Sequence, residues 1–320
     1  MFHFWLFQWP WMVSITRDTS SGIKNHCSGT VINKKFVLTA AHCLSQINTN
    51  SLGLLFGSDD IQDEDQFYRV ERDIKRTFIH PKYDDRYHYF DLALIEAEDE
   101  LEYSAGIQPI CLPEKAVLDV DSRQNDGVTL TGYGKESRDD IGDSQLRFAQ
   151  LTIYAQRFCN ESYTTGGRLA GRIEQALPRK FESNLLCAGY RVRLQFSFCT
   201  FSKFQNKLLQ VTGEGSCQGD SGGPLITYQT GGDEPFYEQV AIVSGGFGSC
   251  GNTEFPGIYV RLEDYRVLRW IYRVAFGRRL SKPGRSGPTQ TTSKPKPETS
   301  QTSNCKYTYP KPICTKSFEY

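Results

Sequence analysis

The stretch Gly219-Asp220-Ser221-Gly222-Gly223-Pro224 is the most informative part of this 320-residue sequence. Two other short strings precede it, Thr39-Ala40-Ala41-His42-Cys43 and Asp91-Leu92-Ala93-Leu94-Ile95. Taken alone, each has an ordinary structural explanation: a glycine-rich turn, a packed histidine, or an aspartate that caps an element. Their occurrence in this order, with a cysteine directly after the histidine and another four residues before the serine, favours a shared chemical role.

Together the strings resemble the signatures of the chymotrypsin/trypsin-like serine proteases, and the resemblance covers about residues 9–276. It implies an all-β fold of two packed six-stranded antiparallel β-barrels with a C-terminal helix, and a first core strand near residues 9–15. The residues agree, because short runs punctuated by Gly, Asn, Asp and Pro favour an all-β barrel or sandwich. These runs are 29–40, 53–57, 91–96, 128–134, 224–228 and 240–246, and residues 264–276 show helical spacing of apolar side chains.

The resemblance also implies a role for each member of the trio. Ser221 would attack the peptide carbonyl, His42 would accept its proton and pass it to the leaving amine, and Asp91 would hold His42 in the required tautomer. A serine hydroxyl is a weak nucleophile and needs such a base. The backbone N–H groups of Gly219 and Ser221 would form the oxyanion hole, where glycine permits the required amide orientation.

Composition suggests a secreted protein. Ten cysteines, none in a C-x-x-C pair, favour disulfides and an oxidising compartment. Asn160-Glu161-Ser162 is a glycosylation sequon. The apolar start at residues 1–13 lacks a basic n-region and a small-residue cleavage site, so we expect neither a signal peptide nor a membrane span there. Without a His-Glu-x-x-His or Walker-type motif, we expect no metal or other cofactor and no nucleic-acid partner.

Charge and composition change near the C-terminus. Net charge is zero, yet residues 277–320 hold nine Lys/Arg and two Glu, which leaves the preceding part acidic. We predict a protease domain over 1–276, a disordered basic Pro/Ser/Thr-rich linker over 277–304 and a short tail over 305–320 bracketed by Cys305 and Cys314. A solvated linker is favoured over a contact with glycosaminoglycan or a membrane surface.

By family pattern, three cysteine pairs are implied: Cys27–Cys43, Cys159–Cys187 and Cys217–Cys250. The position of Cys111 is where two-chain relatives tether the catalytic domain to a propeptide cysteine. The resemblance therefore predicts a missing propeptide partner at Cys111, along with protein or peptide substrates and macromolecular inhibitors.

The sequence departs from the family pattern at its start. An Ile-Val-Gly-Gly-like motif is expected about a dozen residues before Trp9 and is missing. In relatives, cleavage releases an amino terminus that pairs with the aspartate preceding the catalytic serine, here Asp220. We therefore expect an N-terminally incomplete, zymogen-like chain in which Asp220 is a buried carboxylate without its partner.

A second departure is the length between Tyr190 and Cys217, where 26 residues stand in place of about seven. Removing residues 192–210 restores the expected spacing. A retained intron is favoured, and a real surface loop is the alternative.

The residue six before Ser221 forms the base of the primary specificity pocket in this family, and here it is Gly215. The walls map to Ser244, Gly246 and Gly257, and an open uncharged pocket favours a large apolar or aromatic side chain. The adjacent Glu214 keeps a basic side chain as the alternative. The acidic stretch 58–66 is interpreted as a solvated loop rather than a calcium loop.

The leading hypothesis is a secreted serine endopeptidase made as a zymogen. The alternative is a catalytically incompetent protease homologue that acts as a binding or cofactor protein.

Overall fold

The structure is a computed structural model that describes residues 9–20, 22–135, 145–163, 181–190, 215–230, 235–246, 250 and 255–282. Four features predicted from the sequence fall outside these residues: the insertion at 192–210, Glu214, the linker beyond residue 282 and the tail at 305–320.

The first barrel is formed by six antiparallel strands from the first third of the chain. They are β1 Met12–Thr19, β2 Gly22–Val31, β3 Phe36–Thr39, β4 Leu52–Phe56, β5 Val70–Ile79 and β6 Ala93–Ala97. Their order is β1-β2-β3-β6-β5-β4, and the pairing of β1 with β4 closes the barrel. Apolar side chains such as Leu38, Leu54 and Leu94 fill its interior and are almost completely buried.

The second barrel repeats this arrangement with six later strands. They are β7 Gly127–Gly132, β8 Arg147–Ile153, β9 Leu185–Gly189, β10 Pro224–Gln229, β11 Phe236–Gly245 and β12 Gly257–Arg261. Their closed order is β10-β11-β12-β9-β8-β7. Val128, Leu225 and Ala241 belong to its core. The prediction of two six-stranded antiparallel barrels is therefore confirmed.

Two helices lie outside the barrels in the described residues, α1 Gln156–Tyr163 and α2 Tyr265–Phe276. Asp264 caps the N-terminus of helix α2, where its side chain accepts the Arg266 N–H. Gly277, which has a φ of 63°, caps the C-terminus. The inner face of α2, including Val267 and Ile271, packs in the same cluster as the first barrel. Near the end of α2, Asn33 Nδ2 donates to the Ala275 carbonyl at 3.0 Å. The predicted C-terminal helix is therefore present and is docked against the first barrel.

Individual elements differ from the sequence prediction in informative ways. The run 29–40 contains the end of β2, a turn and β3 rather than one strand. Strands β5, β8, β9 and β12 and helix α1 fall outside the runs named from the sequence. Strand β5 has no fully buried residue and β8 has two, at Leu151 and Ile153. Such strands therefore lack the continuous apolar run that marks their neighbours.

The barrels meet closely at the loop that precedes β10. The Ser28 N–H of β2 donates to the Ser221 carbonyl at 2.8 Å, and the Gly222 N–H donates to Val243 of β11 at 2.8 Å. Gly222 has a φ of +82°, and a Cβ at this position would overlap Thr39 Oγ1 and the Ser28 carbonyl oxygen. Glycine is therefore required here both for the backbone conformation and for the approach of the two barrels.

We expect Gly222→Ala to lower the free energy of unfolding by at least about 3 kcal/mol, because backbone strain and steric overlap add together. Urea unfolding followed by fluorescence measures this loss. Gly127→Ala is the matched control, since a Cβ at Gly127 meets nothing within 4 Å. Equal unfolding midpoints for the two variants would contradict the tight contact at Gly222.

The three predicted disulfides are confirmed: Cys27–Cys43, Cys159–Cys187 and Cys217–Cys250. The first links β2 to the segment that follows β3, and the second links α1 to β9. Among the described residues, no helix has the length and apolar character needed to cross a membrane.

Candidate active site

His42 and Asp91 form a tightly bonded pair at the edge of the first barrel. Asp91 directly precedes the segment leading into β6, and His42 follows β3, which pairs with β6. Asp91 Oδ2 accepts a hydrogen bond from His42 Nδ1 at 2.7 Å, and Asp91 Oδ1 accepts the His42 backbone N–H at 2.9 Å. Because an ionised carboxylate only accepts, the proton of neutral His42 is held on Nδ1, and Nε2 keeps its lone pair.

The carboxylate of Asp91 is completely buried. Burial alone would raise the pKa of Asp91, but hydrogen bonds from His42 and from two further side chains bring it well below its ordinary value. One of these is the Ser244 hydroxyl, which donates to Oδ2 at 2.6 Å. Asp91 therefore stays ionised around neutral pH and can stabilise positive charge on His42.

The sequence predicts Ser244 as a wall of the specificity pocket. Its hydroxyl donates to Asp91, and its backbone lies near the end of β11. Its place in the pocket wall stays a prediction.

Ser221 lies next to His42. Cys43 Sγ, in the disulfide to Cys27, is 3.8 Å from the Ser221 carbonyl oxygen and 3.8 Å from His42 Nε2. Within the described residues, the Ser221 hydroxyl makes no hydrogen bond to His42. Contacts between a nucleophile and its base are often long without substrate and tighten when substrate binds. The three predicted residues are therefore brought together, with the serine–histidine contact not formed.

Gly219 adopts a conformation that few other residues could. Its φ is +100°, and a Cβ there would lie 2.9 Å from Asn25 Nδ2 and 3.0 Å from the Gly134 Cα. The Gly219 carbonyl accepts hydrogen bonds from Asn25 Nδ2 at 3.0 Å and Ser28 Oγ at 2.9 Å. These bonds, made from β2, fix the backbone of the turn that carries Ser221.

The carboxylate of Asp220 lies in a pocket of backbone. It accepts the Gly134 N–H and the Cys217 N–H, each at 2.9 Å, and a Cβ at Gly132 or Gly134 would overlap it. Burial raises the pKa of Asp220 to about 6, although both hydrogen bonds act in the opposite direction. No ion pair to Asp220 occurs in the part of the chain that the structure describes.

This raised pKa predicts a pH-dependent stability. The folded state holds the Asp220 proton more tightly than the unfolded chain, so stability falls as pH rises from about 4, the unfolded value, to above 6. A difference of about two pKa units corresponds to about 3 kcal/mol. Asp220→Asn should remove this loss, and urea unfolding of both proteins at pH 4 and pH 7 measures it.

Asp85→Asn is the control for this comparison, because Asp85 is exposed and its pKa is lowered by a hydrogen bond from Tyr83. The same change in stability between pH 4 and pH 7 in wild type and Asp220→Asn would refute the assignment.

Two of the predicted pocket residues, Gly246 and Gly257, have different surroundings. A Cβ on Gly246 would meet only the Gly257 Cα, at 3.8 Å. A Cβ on Gly257 would lie 2.7 Å from the Tyr259 hydroxyl and 2.8 Å from Ser216 Oγ. Tyr259 donates to Ser216 Oγ at 3.4 Å. Next to Gly215, the described polar groups at this end of the pocket are therefore neutral hydroxyls.

The acidic stretch that includes Asp59, Asp60 and Asp63 is organised around a side-chain cation. Arg69 Nη1 donates to the Ile61 carbonyl at 3.1 Å and to the Asp63 carbonyl at 3.3 Å. The guanidinium thus engages carbonyl oxygens inside the loop.

Sequence reasoning missed His88. Its ring stacks on His42 with 5.3 Å between the centroids, and its Nδ1 lies 3.5 Å from Asp91 Oδ2. Interaction with Asp91 raises the pKa of His88 above its ordinary value, against the opposing effect of burial. Its place three residues before Asp91 is the only signal in the sequence, and a histidine there is not unusual in a Tyr-rich loop.

Fold, disulfides and site together define a protein of the chymotrypsin type. A sequence model of the family described as Trypsin matches residues 7–271. The chain belongs to the trypsin family.

Comparison with individual proteins gives the same class. The chain is 33% identical over 280 residues to the clotting factor G beta subunit of Tachypleus tridentatus, covering 85% of this chain and 78% of that protein. It is 29% identical to the serine proteinase stubble of Drosophila melanogaster and 29% identical to the CLIP domain-containing serine protease B4 of Anopheles gambiae. These alignments cover 82% of this chain in both cases, but 29% of stubble and 66% of the Anopheles protein.

Proposed function

We propose that this chain is a serine endopeptidase that hydrolyses peptide bonds through an acyl-enzyme. The observation that carries the proposal is the double hydrogen bond from His42 to the buried, ionised Asp91, with Ser221 adjacent. It supplies an oriented base whose Nε2 keeps its lone pair, close to the backbone of Ser221.

In this mechanism Ser221 Oγ attacks the substrate carbonyl while His42 Nε2 takes the hydroxyl proton. The imidazolium that forms is stabilised by Asp91 at 2.7 Å. His42 then gives the proton to the leaving amine, and water repeats the sequence to release the acyl group. Backbone N–H groups of Gly219 and Ser221 would bind the oxyanion, and loss of one such donor typically costs about 100- to 1000-fold in turnover.

Covalent labelling tests the proposal against the alternative of an incompetent homologue. Because a fluorophosphonate reacts only with an activated serine, we expect it to modify Ser221 of the proteolytically activated protein. Peptide mapping should place the label on Ser221, and prior heating should abolish it. An activated protein that neither labels nor cleaves peptides would support the homologue.

For substrate preference, we propose a large apolar or aromatic residue on the acyl side of the cleaved bond. Gly215 and Gly246 carry no side chain, and a Cβ on Gly246 would have only the Gly257 Cα within 4 Å. The polar groups described beside Gly257 are the uncharged Ser216 and Tyr259. The test is to measure kcat/KM for a series of peptides that differ only in having Phe, Tyr, Leu, Arg or Lys at that position. Higher kcat/KM for Arg or Lys would indicate that Glu214 governs the pocket instead.

We further propose secretion and synthesis as a zymogen. The three disulfides support an oxidising compartment. The Asp220 carboxylate, buried with a raised pKa, would be ionised and stabilised by an ammonium group released on cleavage. Activation should then reverse the sign of the pH dependence described for Asp220.

Two further features stay predictions. Asn160, the glycosylation candidate, lies in α1, and its Oδ1 accepts the Phe181 N–H at 2.8 Å. Cys111, the candidate for propeptide attachment, pairs through its backbone carbonyl with the Gln239 N–H at 2.9 Å. Mass spectrometry of the secreted protein would test both.

A further inference from the structure

A second imidazole lies against the buried carboxylate of Asp91. The His88 and His42 rings stack at 5.3 Å with 28° between their planes, and His88 Nδ1 is 3.5 Å from Asp91 Oδ2. One ring nitrogen of each histidine and one carboxylate oxygen all lie within 4.8 Å of one another. We call these three side chains, His42, His88 and Asp91, the His–His–Asp cluster.

The loop before Asp91 holds His88 in this position. His88 has a φ of 55°, in the left-handed region, where the conformation costs an L-residue about 1–2 kcal/mol. Its N–H donates to the Asp84 carbonyl at 2.7 Å, and the Asp84 N–H donates to the Tyr89 carbonyl at 3.0 Å. Such a conformation persists when surrounding contacts determine it. The imidazole is therefore presented by a closed turn.

Two imidazoles and one carboxylate form a donor set that binds zinc with a fourth position open. Tetrahedral zinc with ligand bonds near 2.1 Å places its ligand atoms about 3.4 Å apart. In the cluster, the separations to Asp91 Oδ2 are 2.7 Å from His42 and 3.5 Å from His88. The 3.5 Å separation is close to this spacing, and the 2.7 Å separation would have to lengthen. The ring nitrogens of the two histidines lie within 4.8 Å of each other, so the rings would have to turn from their stacked arrangement for both to bind one ion.

Charge and access also suit a cation. The Asp91 side chain is fully buried, whereas the side chains of His42 and His88 are 23% and 42% exposed. An ion can therefore approach from solvent through the histidines and meet an ionised carboxylate behind them. Electrostatic attraction between a dication and a buried carboxylate is far stronger than between exposed charges.

We propose that the His–His–Asp cluster is an inhibitory binding site for a divalent transition-metal ion, with Zn²⁺ as its expected occupant. Imidazole favours zinc, copper and nickel over magnesium and calcium. Metal bound there coordinates His42 Nδ1 beside Asp91. The proton of Nδ1 moves through solvent to Nε2, so that Nε2 no longer has a lone pair to accept the Ser221 proton. The inhibition rests on the proposed peptidase function, whereas the metal binding rests on the cluster alone.

Metal binding is tested without catalysis, in the full chain carrying Ser221→Ala. Calorimetric titration with Zn²⁺ should show one ion that depends on His88. Adding His88→Asn, which keeps a residue tolerant of left-handed backbone, should weaken this binding at least about tenfold. His26→Gln is the matched control, because His26 Nε2 contacts the Cys43 carbonyl at 2.9 Å outside the cluster. Absorption spectra of the Co²⁺-bound protein distinguish an ion held by nitrogen and oxygen ligands, as in the cluster, from an ion held by cysteine thiolates at another place in the chain.

Inhibition is then measured on the activated protein with Ser221 intact. Zn²⁺ should stop peptide hydrolysis, and EDTA should restore it. The rate of each protein is expressed relative to its own metal-free rate. On that scale, His88→Asn should raise the Zn²⁺ concentration that gives half inhibition at least about tenfold. Equal zinc binding and equal inhibition with and without His88 would overturn the metal site while leaving the peptidase function intact. His88-dependent binding in a protein that cleaves no peptide would support the metal site and refute the peptidase function.

Discussion

Replacement of Ser221 by alanine is expected to lower kcat for peptide hydrolysis about a millionfold, the cost of deleting the nucleophile of a serine protease triad. His42 and Asp91 would remain bonded at 2.7 Å, but no hydroxyl would be left to form the acyl-enzyme. The residual rate over water would come from the oxyanion hole and substrate binding. Steady-state kinetics with a chromogenic peptide, together with fluorophosphonate labelling, measure the loss.

Ser45→Ala is the control for this experiment. Ser45 lies three residues after His42 in the same loop, and its hydroxyl donates to Asp85 Oδ1 at 3.4 Å. This variant should keep wild-type kcat. A Ser221→Ala protein that retains more than about one per cent of wild-type activity would exclude Ser221 as the nucleophile, because deletion of a true nucleophile costs several orders of magnitude.

The parts of the fold predicted most accurately are those where one face is buried and the chain is bounded by turns. Strand β6 and helix α2 are examples, since an apolar run marks the strand in the sequence and a helical apolar stripe marks the helix. Strand β5 has an exposed residue at nearly every second position and no fully buried one. Its place in the barrel is decided by pairing with β4 and β6, which local sequence does not report.

The candidate site shows the same division between local and tertiary information. Gly222 can be recognised as special from its string, but its reason, overlap with Thr39 and Ser28, exists only once the barrels meet. The family pattern aligns Ser244 with a pocket wall but does not report that its hydroxyl is bonded to Asp91. His88 carries no motif, and a turn with positive φ brings it to the carboxylate.

Asp91→Asn is expected to lower kcat about ten-thousandfold, the effect measured for the same replacement in a member of this family. In one orientation the asparagine amide would present its NH2 donor toward His42 Nδ1. In the other, its single oxygen would have to accept hydrogen bonds from the His42 ring, the His42 backbone N–H and the Ser244 hydroxyl. A donor at that point favours the His42 tautomer with its proton on Nε2, which cannot accept the serine proton. Because substrate contacts lie elsewhere, KM should change far less than kcat, and the rate of fluorophosphonate labelling should fall in parallel with kcat.

Asp85→Asn supplies the matched control, since Asp85 is an exposed carboxylate of the same loop that bonds Tyr83 and Gln46. It should retain nearly full activity. Thermal unfolding of both variants separates loss of catalysis from loss of structure, because a folded Asp91→Asn protein with low kcat identifies a failure of the base rather than of the barrel. If folded Asp91→Asn kept activity within tenfold of wild type, the buried carboxylate would be structural, and His42 would have to be oriented by another group.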